Sequence, residues 1–170
     1  MKLVIQPIGK IDPYLLDNLK KILGRAFGCT VEIAQDKDLP EQAYKKGRGQ
    51  YNASDLIDFI KTTHTTYINR MLAIIDADLY SAERQFVFGF AEQKSLTAII
   101  SLNRLKPELP PDADLFLNRA AKEAIHELGH TFGLDHCSTN RCVMHFSHSI
   151  SDTDVKGMTF CSKCQPKLLQ

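Results

Sequence analysis

His126-Glu127-Leu128-Gly129-His130-Thr131-Phe132-Gly133-Leu134-Asp135-His136 has the form H-E-x-x-H-x-x-G-x-x-H. On a helix, positions i and i+4 lie one turn apart on the same face, so His126 and His130 can share one metal ion. Glu127 then sits beside that ion. Gly133 can adopt a positive φ, which lets the helix stop and the chain turn back. Three residues on, His136 can supply a third ligand. Three protein ligands leave a fourth position open for water, the mark of a catalytic rather than a structural zinc. The bland reading is an ordinary helix with surface histidines. Each added fixed residue beyond H-E-x-x-H cuts chance matches by roughly an order of magnitude, given average residue frequencies.

The flanks of this stretch add to it. A methionine, Met144, follows His136 by eight residues. Four of the five cysteines lie downstream, at Cys137, Cys142, Cys161 and Cys164. Two close pairs of thiolates suit a closed tetrahedral zinc site. Two disulfides are an alternative that a reducing compartment disfavours, and a redox C-x-x-C is a third reading. Cys137 directly follows His136, so two metal sites here would be mechanically coupled. Cys29 reads as a small buried residue.

Upstream, residues 3–8 read as a first strand. Residues 13–27 show helical spacing, with Asp12 as N-cap, Pro13 at the first helical position and Gly28 as the stop. Residues 30–34 read as a second strand, which makes a β-α-β start with parallel strands. Residues 36–50 read as a solvated loop with Lys45, Lys46 and Arg48 at its tip. Residues 54–63 suggest a helix capped by Ser54. Residues 71–79, 86–91 and 96–102 predict three strands that are consecutive neighbours in the sheet, with turns at 80–85 and 92–95. Pro107, Pro110 and Pro111 mark a loop, and Asp112 or Asp114 can cap the helix that follows. A last helix is expected over 154–161.

The whole chain has 170 residues, 44% hydrophobic and 24% charged, which predicts one soluble domain with a good core. A net charge of +1 gives no field that points to nucleic acid. No apolar run approaches a membrane span, and the N-terminal apolar run is too short for a secretory signal, so the expected location is cytoplasmic.

The chemistry follows from the residue types. Zinc lowers the pKa of a bound water and polarises a carbonyl. Glu127 would act as general base on that water and pass the proton to the departing amine. No tyrosine stands just after Met144; His145 and Phe146 do, and His145 and His148 read as helpers or bystanders rather than ligands. Residues 86–91 are either a cleft rim that pairs with substrate backbone or simply core. The competing reading of the chain is a latent or non-catalytic zinc-binding protein-interaction module.

The stretch from His126 to His136, with Cys137-x4-Cys142-x-Met144 and Cys161-x2-Cys164, resembles the signature of the archaemetzincins, within the metzincin clan of zinc peptidases. Gln50-Tyr51-Asn52-Ala53 and Phe86-Val87-Phe88-Gly89 are similar to family segments more loosely. The resemblance implies an α/β (α+β) metzincin-like fold: a twisted mixed β-sheet of about five strands, backing helices, an active-site helix and a small zinc-stapled C-terminal subdomain. It implies one catalytic domain over 1–170, with an upper part over 1–133 and a lower part over 134–170. It implies His126, His130 and His136 as catalytic-zinc ligands, Glu127 as general base, Met144 packed beneath the ligands, and Cys137, Cys142, Cys161 and Cys164 on a second, structural zinc. The implied partner is a peptide or protein substrate, with no nucleic acid and no membrane, and a monomer is favoured.

Overall fold

The computed structural model describes residues 1–62, 70–92, 95–108 and 111–169. The chain runs β1 (Lys2–Ile8), α1 (Pro13–Phe27), β2 (Thr30–Ile33), β3 (Tyr44–Lys45), β4 (Gln50–Asn52), α2 (Ala53–Thr62), β5 (Arg70–Ile75), β6 (Leu79–Ser81), β7 (Arg84–Val87), β8 (Gly89–Ala91), β9 (Thr97–Ser101), α3 (Ala113–Thr131) and α4 (Ile150–Val155). A five-stranded mixed sheet has the order β2-β1-β5-β9-β8. Its first four strands are parallel, and β8 is antiparallel to β9.

Alternation along the strands builds an apolar layer on each face of this sheet. Leu3, Ile5, Leu72, Ile74, Ala98 and Ile100 face a cluster that includes Leu19 and Leu23 of α1 and Ala121, Ala124 and Leu128 of α3. Ile8, Met71, Ala73, Ile75 and Ile99 face the opposite cluster, built on Leu56, Ile57 and Ile60 of α2. Helices α1 and α3 thus lie on one face and α2 on the other. The first cluster continues into Leu134, Cys142, Val143, Met144 and Cys164 of the C-terminal segment.

Local signals place the ends of α1. The Asp12 carboxylate accepts from the Tyr14 amide at 3.0 Å, and Gly28 closes the helix at φ 58°. For α2 the cap is one element earlier than Ser54: Asn52 Oδ1 accepts from the Asp55 amide at 3.1 Å, and the helix starts at Ala53. The expected end at Thr63, the turn around 93–94 and the break at Pro110 lie outside the described residues.

Four expectations are corrected. The strands near 71–79, 86–91 and 96–102 do lie together, but the last of them is central, because β5 pairs with β9 in parallel and β8 folds back on the outside. Residues 86–91 are not one strand. β7 joins a second sheet of order β3-β4-β6-β7, and the chain crosses at Phe88, whose buried ring packs in the first cluster. The supposed loop over 36–50 contributes β3 and the start of β4; Tyr44 and Tyr51 face each other with rings 5.0 Å apart, the cross-strand contact that its polar composition conceals. The last helix begins earlier, at Ile150, since Asp152 Oδ2 accepts from the Ser149 amide and hydroxyl at 2.8 and 2.9 Å.

Candidate metal centres and cleft

Helix α3 carries the candidate centre at its C-terminal end. Asp112 starts it by accepting from the Leu115 amide at 2.8 Å. Gly133, at φ 82°, reverses the chain and brings His136 back towards the helix. Potential donor atoms of His126, His130 and His136 all lie within 4.8 Å of one another. The Nε2 atoms of His126 and His130 are 3.1 Å apart, close to the ~3.4 Å separation of two ligands on a tetrahedral zinc.

The tautomers are set from behind. His126 Nδ1–H donates to the Val143 carbonyl at 2.8 Å, and His130 Nδ1–H to the Leu134 carbonyl at 2.7 Å. A carbonyl can only accept, so each ring keeps its Nε2 lone pair for a metal. Burial holds His126 well below the ordinary imidazole value, and the Lys156 ammonium adds to this. Burial also lowers His130, and burial together with His130 brings His136 down to about 4. Neutral rings at neutral pH are what metal uptake requires.

Glu127 is 6% exposed. Burial pushes its carboxyl well above the usual range, and the carboxylate of Glu123, one turn earlier, pushes the same way. Its approach to the cleft depends on Gly89 in β8: a Cβ there would lie 2.5 Å from Glu127 Cγ and 2.8 Å from Oε1. Gly89→Ala should therefore displace the Glu127 carboxylate by about 1 Å and lower kcat by about 100-fold, because misplacement on that scale is enough to spoil a reacting geometry. Steady-state kinetics beside metal analysis checks this; a variant with wild-type kcat would show that Gly89 is only a strand residue.

The second centre is adjacent. The sulfur atoms of Cys137, Cys142, Cys161 and Cys164 all lie within 4.8 Å of one another. All four cysteines are free, and Cys137 and Cys161 Sγ are 3.8 Å apart, far beyond a disulfide and near the ~3.8 Å between two thiolates on a tetrahedral zinc. The Lys163 and Cys164 amides bring the Cys161 thiol down to about 6. The Cys161 amide in turn donates to Cys142 Sγ at 3.4 Å.

The two centres share backbone. The Cys137 amide donates to the Met144 carbonyl at 2.9 Å, and His145 Nδ1–H donates to the Cys137 carbonyl at 2.9 Å. Val143, which orients His126, stands between Cys142 and Met144. Met144 is fully buried, and its sulfur occupies the space that a side chain at position 129 would take, which explains a glycine inside the helix. His145 is thus a tether, while His148 lines the cleft with its ring 4.6 Å from Phe146.

The cleft lies between α3 and the 84–91 segment, and it includes His126, Glu127, His130 and His136. Three of its features escape a sequence reading. Glu123 pairs with buried Lys156 at 2.8 Å and accepts from Thr153 Oγ1–H at 3.0 Å. Arg84 lies over the Phe146 ring at 4.4 Å, and that ring packs edge-on against His136 at 4.7 Å. Gly89 makes room for Glu127. Of these, only Glu123 carried a signal: it precedes Glu127 by one turn on the same helical face.

Comparison with known proteins agrees with this geometry. The model of peptidase family M54 matches residues 14–170. An archaemetzincin of Methanocaldococcus jannaschii is 43% identical over 171 residues, covering 99% of this chain and 93% of that protein. The crystal structure of archaemetzincin from Archaeoglobus fulgidus, complexed with malonate, superposes with a TM-score of 0.87 at 35% identity, covering 98% and 99% of the two chains. That of Methanopyrus kandleri gives a TM-score of 0.87 at 38% identity, covering 99% of this chain and 93% of the other.

Proposed function

The chain belongs to peptidase family M54, the archaemetzincins, and on that premise we propose the role of each residue in a zinc metallopeptidase that acts on peptide or protein substrates. His126, His130 and His136 hold the catalytic zinc, and Cys137, Cys142, Cys161 and Cys164 hold the structural one. The donor sets fit: three neutral imidazoles, two of them with Nδ1 engaged and Nε2 left for the metal, and four thiols gathered around one point. A zinc bound by the histidines supplies a Lewis acid for a water and for the scissile carbonyl.

The chain's own residues do the rest. Glu127 takes the proton of the attacking water as the C–O bond forms, and gives it to the amine nitrogen as the C–N bond breaks. Gly89 leaves space for that carboxylate. β8 ends the five-stranded sheet beside the cleft, so its outer edge can pair with the substrate backbone. This role falls to 89–91, the part of the 84–91 segment that belongs to the five-stranded sheet and lies against Glu127. The single observation that carries the reading is a buried carboxylate next to two metal-ready imidazoles on one helix, with a third returned to them by the turn at Gly133.

A single catalytic domain fits the continuous apolar cluster that joins the sheet to residues 134–164. Among the described residues no helix is long and apolar enough to cross a membrane. We favour a monomer in the cytoplasm.

Two measurements test the reading. Elemental analysis should find two zinc ions per chain. Digestion of an unbiased peptide library should proceed with zinc and stop after chelation. Two zinc ions with no cleavage of any peptide would favour the rival reading, a zinc-built interaction module.

A further inference from the structure

We propose that Arg84 is a specificity residue that binds a carboxylate of the substrate on the C-terminal side of the scissile bond. Among the described residues it is the only lysine or arginine lining the cleft. It is exposed, and no carboxylate lies within ion-pair distance of it among them, whereas Arg104 and Arg119 are tied to Asp78 and Asp154. Its guanidinium carbon lies over the Phe146 ring, 4.4 Å from the centroid, a contact that holds the side chain without using its N–H donors on a carboxylate. Phe146 in turn packs on His136 at 4.7 Å, so two ring contacts link Arg84 to the candidate zinc ligands. An arginine held in this way presents a planar fork suited to a carboxylate.

Strand direction gives the side of the bond. Gly89 lies against Glu127, so the start of β8 is level with the reacting carbonyl. A peptide pairing antiparallel with β8, as β9 does on the inner side, runs opposite to the 84–91 segment. Its residues downstream of the cleaved bond therefore travel from Gly89 towards Arg84. The carboxylate can come from an acidic side chain or from a free C-terminus.

This rests on the peptidase reading and on β8 as the substrate edge. The test uses zinc-loaded protein and fluorogenic peptides that carry Asp, Asn or Lys at each of three positions after the cleaved bond, each with a free or an amidated C-terminus. Wild-type kcat/KM should favour the acid over its amide by about 10- to 100-fold at one position, the span of one charge-assisted pair. Discrimination at an internal position assigns a side chain; discrimination only between free and amidated ends assigns the terminus. Arg84→Met should bring the ratio to about one, and Arg84→Glu should shift preference to Lys. An acid:amide ratio near one in the wild type, or one that survives Arg84→Met, would overturn the proposal. Anisotropy binding of the same peptides to zinc-loaded Glu127→Gln keeps the two readings apart. Acid preference in binding with no wild-type turnover would sink the peptidase reading alone, and no preference in binding sinks this one.

Discussion

Glu127→Gln should retain two zinc ions per chain, keep the fold, and lose about 10³-fold or more in kcat, within the ~10²- to 10⁴-fold range of general-base catalysis. Glutamine preserves shape and removes the proton-accepting charge. No side-chain hydrogen bond to a described residue is lost, because the Glu127 carboxyl makes none among them; its surroundings are Gly89 and the buried helix face. Burial already disfavours the charged form, so neutralising the side chain should leave stability level or slightly raised. A structural role would give the opposite pattern: falling zinc content and falling stability together. A chemical role gives turnover loss alone. Wild-type turnover in this variant would remove Glu127 from the mechanism, and Glu123, engaged with Lys156 and Thr153, would not simply take its place.

The site was more legible in the chain than the sheet was. The donors follow two rules with little tertiary content: helical spacing puts His126 and His130 on one face, and Gly133 permits the reversal that returns His136. The cysteine spacing carries the second centre in the same way. What orients the histidines is not local in that sense. His126 is aimed by the carbonyl of Val143, and a backbone carbonyl leaves no mark on residue type. Gly89 is similar: its value is the space it leaves for a side chain thirty-eight positions later in the chain. The strand pattern found the strands of the five-stranded sheet, but a period of two is blind to sheet order, and so β9 went unplaced between β5 and β8. The split at Phe88 was hidden because both halves of 86–91, Phe86-Val87 and Phe90-Ala91, are apolar enough for one strand.

Lys156→Ala should cost about 3–5 kcal/mol of unfolding free energy, the toll of leaving one member of a buried ion pair alone. The side chains of Lys156 and Glu123 are 1% and 4% exposed. Their 2.8 Å contact ties the end of α4 to the face of α3 that carries the histidines. Five neighbouring hydrogen bonds follow the same seam: Arg119 grips Asp154 through two of 2.7 and 2.6 Å, Lys122 donates to the Thr153 and Asp154 carbonyls, and Thr153 donates to Glu123. Removing the ammonium leaves the Glu123 charge with one neutral donor in a site closed to water. The loss has two parts, charge and packing, and Lys156→Met separates them because it keeps most of the stem. The methionine variant should lose nearly as much as alanine. Glu123→Gln combined with Lys156→Met removes both charges and should recover most of the stability, with a coupling well above the scatter expected of independent sites. Denaturant unfolding at fixed zinc measures these three and Glu123→Gln alone, the other single variant that the coupling requires. If Lys156→Met stays within about 1 kcal/mol of wild type, below the cost of an orphaned buried charge, the pair contributes little and α4 is held by the Arg119–Asp154 contact. A full loss would mean that the helix carrying the chemistry depends on a lysine thirty residues downstream of its first histidine.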